Sequence, residues 1–236
     1  GSYGLKVATT APEIRIVEKG QEEDIYMLHY GFVAIGSKKS IVLDVRNEGD
    51  TVLNITAVEL ENDYEGNFRI VTTPDPVIEA KGKDDFIIQF IPQPLWEKTA
   101  NLMISSDDDD HNPYSIFMEG IAVNEVKEIK AADFGSLIEG NLPTSGYDLV
   151  YQVPVAPGRT YTITWLDALS GSGSYTCDIQ VSAYKMDAKT TYFDAIDNGQ
   201  LTPQVITAQE EIIYLRIGTY GLSDPGSFAI KVEEEE

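Results

Sequence analysis

Cysteine is nearly missing from this chain. Cys177 is its one thiol, which excludes an internal disulfide and every metal site built from several cysteines. Histidine is almost as scarce, with His29 and His111 alone, and neither sits in a context that suggests a nucleophile partner. Neither G-x-S-x-G nor the phosphate-cradling G-x-x-x-x-G-K-[ST] occurs, so the usual signs of a serine hydrolase or a nucleotide site are missing. No run approaches the ~18 consecutive apolar residues of a membrane-spanning helix. Positive charge is short as well: 17 Lys and Arg stand against 39 Asp and Glu, a net charge of -22. A phosphate backbone would be repelled, which argues against a nucleic-acid partner. The N-terminus lacks the layout of a signal peptide. Gly1-Ser2 reads as a cloning scar, so any export signal or lipid anchor is expected upstream of it.

What is present is a folding chain of 236 residues, 42% hydrophobic and 10% aromatic, the balance of globular protein rather than of disorder. The apolar residues recur with period two. Ile41, Leu43 and Val45 alternate with Val42, Asp44 and Arg46; Phe86, Ile88 and Phe90 with Ile87, Gln89 and Ile91; Tyr161, Ile163 and Trp165 with threonines. Such runs are half-buried strands. Turn signals at Asn47-Glu48-Gly49-Asp50, Lys81-Gly82-Lys83, Pro157-Gly158 and Asp224-Pro225-Gly226 separate them. An all-β fold of two tandem antiparallel β-sandwiches follows, each of about 110 residues. The short, charged stretch from Val123 to Ala132 reads as the join. The expected boundaries are 12–123 for the first sandwich, 124–132 for a linker and 133–236 for the second. The acidity is shared: residues 1–123 carry 10 basic and 22 acidic groups (-12), and residues 124–236 carry 7 and 17 (-10).

The first piece holds an ordered set of features: Tyr30-Gly31-Phe32-Val33-Ala34-Ile35-Gly36, Asn47-Glu48-Gly49, Phe90-Ile91-Pro92, Ser105-Ser106-Asp107, Asn112-Pro113-Tyr114 and Glu119-Gly120. It resembles the choice-of-anchor D and ASPM-SPD-2-Hydin type of immunoglobulin-like domain. That resemblance implies a spacer or protein-binding module without catalytic residues. The second piece, with Gly146-Tyr147 to Val155, the Ala156-Pro157-Gly158 turn, Tyr161-Thr162-Ile163, Cys177-Asp178-Ile179-Gln180-Val181 and Gly226-Ser227-Phe228, is similar to the bacterial pre-peptidase C-terminal domain. That family implies a jelly-roll-like sandwich appended to secreted proteins, sometimes with calcium or glycan binding. Cys177 stands where the family's motif has an acid.

Binding candidates are few. Trp96 follows Pro92-Gln93-Pro94-Leu95 and is expected to show its indole at a sandwich end, where loops contact partners. Trp165 belongs to the core, and Cys177 is expected to point inward beside Ile179 and Val181. Tyr175, with Tyr184 and Tyr192, could form a sugar-stacking platform, Tyr175 being preferred. Asp107-Asp108-Asp109-Asp110 offers hard oxygen ligands, with Asp108 and Asp110 as candidates for calcium. It lacks the D-x-D-x-D-G spacing that wraps one loop around an ion, so a solvated acidic loop is favoured and no cofactor is expected. Asn54-Ile55-Thr56 fits a glycosylation sequon on a strand and is set aside. The expected function is a non-enzymatic, extracytoplasmic interaction or spacer protein of a bacterial cell envelope, meeting a protein partner through its loops. The alternatives are a glycan-binding module, with or without calcium, and the accessory region of a larger secreted hydrolase.

Overall fold

The computed structural model describes residues 11–168, 173–197, 199, 201–221 and 224–235; Gly1 and Ser2 lie outside them. The described chain is all β apart from one 3₁₀ turn at Ala131–Asp133. It forms two compact units, one from residues 11–30, 36–93 and 97–120, the other from residues 31–35, 94–96 and 121–235.

The first unit is built from β1 (Ile14–Glu18), β2 (Met27–Ala34) as far as Tyr30, β3 (Lys39–Asn47), β4 (Leu53–Glu61), β5 (Phe68–Thr72), β6 (Val77–Ile78), β7 (Lys83–Phe90), β8 (Trp96–Ser106) from Glu97 onward and β9 (Tyr114–Val123) as far as Gly120. They make two sheets, ordered β1-β3-β7-β5 and β2-β9-β8-β4-β6. The period-two residues turn inward as the alternation requires: Leu43, Val45, Phe86, Ile88, Phe90, Leu102 and Ile104 are buried. Tyr30 of one sheet packs against Phe68 and Phe90 of the other, with ring centroids 5.6 and 5.3 Å apart. This is an immunoglobulin-like sandwich. The Asn47 turn shows why its residues stand where they do. Asn47 is buried; its Oδ1 accepts from the Gly49 N–H at 3.0 Å, and its Nδ2 donates to the carbonyls of Thr51 at 2.8 Å and Ile78 at 3.0 Å. Any Cβ on Gly49 would run into the backbone of residues 11–13.

The second unit contains β10 (Glu125–Glu128), β11 (Ile138–Leu142), β12 (Leu149–Pro154), β13 (Thr160–Leu166), β14 (Ile179–Tyr184), β15 (Thr191–Ile196), β16 (Gln204–Thr207), β17 (Ile212–Thr219) and β18 (Gly226–Glu234). Its sheets run β11-β18-β13-β16 and β10-β12-β17-β14-β15. Counting β11 to β18 as strands one to eight gives 1-8-3-6 and 2-7-4-5, the strand order of a jelly roll. One core lies between the sheets, with Trp165, Tyr161, Phe228 and Ile230 from one and Tyr151, Val181, Leu215 and Ile217 from the other. Residues 31–35 belong to this unit, where Phe32 stands edge-on to Tyr184 and Tyr214.

One expectation needs correction. The stretch 124–132 is not a linker: Glu125–Glu128 is strand β10, and only Asn124 separates it from β9. Its one apolar residue, Val126, is half-buried among charged neighbours, which is why the segment reads as a polar join rather than as a strand. The sandwiches are built on antiparallel pairs as expected, with β10 at the edge lying parallel to β12, Glu125 opposite Leu149 and Glu128 opposite Gln152.

Candidate functional site

Trp96 opens β8 with φ +87° and is 65% exposed. A bulky side chain in the left-handed region carries backbone strain. The Pro94-Leu95 turn feeds directly into this residue, so a strained backbone holds the indole toward solvent. Four other described non-glycine residues share a positive φ: Asn62, Lys81, Ala188 and Ala195. None of them is aromatic.

Tyr175 presents less than its sequence position suggests. It is half-buried, and its hydroxyl donates to Glu139 Oε1 at 2.8 Å. That bond, then burial, holds the phenol above its ordinary pKa. Tyr192 packs against the core and accepts the Gln209 N–H at 3.0 Å, and Tyr184 packs against Phe32. The three tyrosines are therefore engaged by their own unit. Trp165 and Cys177 are both fully buried.

The acidic run divides by residue. Asp109 and Asp110 are exposed, but Asp108 is 3% exposed. Its Oδ2 accepts the Ile14 N–H at 2.8 Å, and its Oδ1 accepts those of Asp110 at 3.0 Å and His111 at 3.4 Å. The loop is thus not simply solvated: one aspartate is spent as a buried cap, which removes it from the calcium candidates' free oxygens. Asp107 accepts twice from Asn54, from its N–H at 2.8 Å and its Nδ2 at 2.6 Å. Burial opposes its charge, but these bonds outweigh it and hold the carboxyl below its ordinary pKa. Among the described residues, no group of three or more His, Cys, Asp or Glu is arranged to hold a metal ion.

Both histidines have carboxylate neighbours that the sequence does not announce. His29 Nδ1 lies 2.7 Å from Oε1 of the buried Glu119, and His111 Nδ1 lies 3.7 Å from Asp108 Oδ2. The second unit has a small polar depression of about 140 Å³ between Asp148, Ser182, Asp194 and Arg216. Arg216 donates to Asp148 through Nε at 3.0 Å and Nη2 at 2.9 Å. Ser182 Oγ donates to Asp194 Oδ1 at 2.7 Å and accepts the Ala195 N–H at 2.9 Å. Burial lowers the Arg216 pKa, but Asp148 more than offsets it. These groups satisfy one another, the pattern of a structural network.

The fold class is therefore an immunoglobulin-like sandwich followed by a jelly-roll-like one. No family model and no curated protein matches the chain. Solved structures do. The secreted serine protease VesC of Vibrio cholerae is similar at 12% identity and TM-score 0.46, over 96% of this chain and 51% of that one. The chain thus spans about half the length of VesC. The pre-peptidase C-terminal domain of a Bacillus anthracis collagenase is similar at 17% identity and TM-score 0.37, over 46% of this chain and 94% of that one. The ASH/PapD-like domain 7 of human CEP192 is similar at 13% identity and TM-score 0.36, over 52% and 94%. No described helix is long and apolar enough to cross a membrane.

Proposed function

We propose that this chain is a non-catalytic, extracytoplasmic interaction module that engages a protein partner at the Trp96 turn, with relatives among the choice-of-anchor D and pre-peptidase C-terminal families. The observation that carries the reading is the Trp96 conformation: an exposed indole kept at φ +87°. Strain at an exposed side chain contributes nothing to packing, and such strain concentrates where binding uses it. Large rigid aromatics also dominate interface energies. The self-satisfied Asp148–Arg216 and Ser182–Asp194 pairs support a scaffold rather than a reaction centre.

The test pairs two substitutions with a position-specific cross-linker. A photoreactive amino acid at position 96 of the intact chain, expressed in its source cells, should yield a discrete adduct whose protein mass spectrometry identifies. Trp96→Ala should leave the melting temperature nearly unchanged and weaken the purified partner by about 2 kcal/mol. Trp96→Gly should weaken it equally while stabilising the fold by about 1 kcal/mol, because glycine accepts a positive φ. The reading fails if both variants bind that partner like the wild type, or if Trp96→Ala unfolds the chain.

A further inference from the structure

The outer face of the sheet β1-β3-β7-β5 carries cations in an unusual row. The register sets Arg15 opposite Arg46 and Arg46 opposite Lys83. Like charges placed directly opposite one another destabilise a sheet, and this chain has 17 basic residues against 39 acidic ones. The row is therefore not a by-product of a basic surface. It borders an open depression of about 490 Å³ lined by Glu22, Arg46, Asn47, Glu48, Lys81 and Lys83. That volume lies within the ~300–1,000 Å³ of small-molecule sites.

The counter-ions are not equivalent. Asp44 is buried in the sheet and takes Lys83 at 3.1 Å. Asp24 and Glu48 each hold Arg15 at 2.9 Å, and Asp50 holds Lys81 at 2.9 Å. Glu22 differs: its side chain is 80% exposed, and both of its oxygens are given to Arg46, from Nη1 at 2.7 Å and from Nη2 at 3.2 Å. It sits in the short return after Gly20, between β1 and the Asp24 bridge to Val17. Arg46 Nε is buried with no hydrogen-bond partner among the described residues, so the edge open to a ligand is the Nη1/Nη2 pair that Glu22 occupies, where Nη2 also donates to the Gln21 carbonyl at 3.1 Å. A fork of this kind recognises planar carboxylates.

We propose that Arg46, with Lys81 and Lys83, forms a carboxylate-binding site on the first unit, and that Glu22 is its resident counter-ion, exchanged for the carboxylate of a small ligand. Two sources share that chemistry: the acidic side chain of a short peptide and a uronic acid. Binding is an exchange, so the apparent affinity equals the intrinsic one reduced by the fraction of time that Glu22 is displaced. Removing the Glu22 charge therefore strengthens binding, the opposite of what removing an ordinary ligand contact does. The acidity of the whole chain is screened beyond ~8 Å at physiological salt.

The probes are tri-glutamate and glucuronate, titrated separately into the intact chain at physiological salt by calorimetry and amide chemical shifts. Glu22→Gln should bind at least one probe about threefold or more tighter than the wild type. Arg46→Gln should bind that probe about tenfold weaker, the loss of a charge-assisted hydrogen bond. Lys81→Gln, at an exposed turn, should weaken it about threefold and decides the matter if Arg46→Gln does not fold. The probe that binds tighter identifies the source. The site is refuted if Glu22→Gln binds neither probe, if it binds no tighter than the wild type, or if folded Arg46→Gln and Lys81→Gln bind as the wild type does.

Discussion

At the scale of single residues, the informative side chains are acids used as backbone caps. Asp108 receives N–H groups from Ile14, Asp110 and His111. Asp108→Ala leaves a buried strand amide without an acceptor, and urea unfolding should show a loss of about 3 kcal/mol; Asp109→Ala next to it should lie within about 0.5 kcal/mol of the wild type. Four consecutive aspartates read as solvent-facing because each alone is hydrophilic. The partner that buries one of them is 94 residues away, and no local pattern encodes it. Tyrosines titrate by the same logic. Burial first, then the Glu125 charge, pushes Tyr151 up to about 12, and burial raises Tyr30 and Tyr114 as well. A phenol with a raised folded pKa contributes stability that is complete below its ordinary value of 10.0 and is lost as pH climbs through the raised one. An alkaline absorbance titration should therefore find late-ionising tyrosines, one fewer in Tyr151→Phe.

Elements were the most legible level. Inward Leu43, Val45, Ile88, Phe90, Ile163 and Trp165 follow from alternation alone, because a strand with one buried face must place every second residue there. Alternation does not report which strands lie side by side, so the Arg15–Arg46–Lys83 row, a product of register, stayed hidden. Nor does it report where a ring lies over a neighbouring backbone. At Gly120 an added Cβ would overlap the Phe90 ring of the opposite sheet, and at Gly140 the ring of Phe228, its cross-strand partner in the same sheet. Gly120→Ala and Gly140→Ala should each cost about 1–3 kcal/mol in urea unfolding, with Gly158→Ala, whose Cβ meets open space but whose φ is +84°, as a comparison for strain without overlap. Trp96 was legible as exposed from its proline-bracketed turn, while its backbone angle was not.

Across the whole molecule the dominant quantity is charge. With a net of -22, repulsion among unpaired acids works against compactness at neutral pH. Added sodium chloride should therefore raise the melting temperature at pH 7. Acid acts on the pairs. Arg46 first of all holds Glu22 below its ordinary 4.5, and Lys98 does the same for Glu65. Groups with lowered folded pKa values contribute stability above the ordinary value and lose it as pH falls through the lowered one. Melting measured downward from pH 5 should show that loss, and Glu65→Gln should flatten it.

The single residue between β9 and β10 has a consequence for proteolysis. Proteases cut segments that can leave the fold and lie extended in a catalytic cleft, and tandem domains usually offer such a segment where they join. Here Lys127, the trypsin site nearest that join, lies within β10 and is bridged to Tyr151. Cleavage there has to wait until β10 peels from its sheet. Tryptic nicking should thus begin in loops such as the one bearing Lys81, and the two sandwiches should be degraded together rather than released as separate halves.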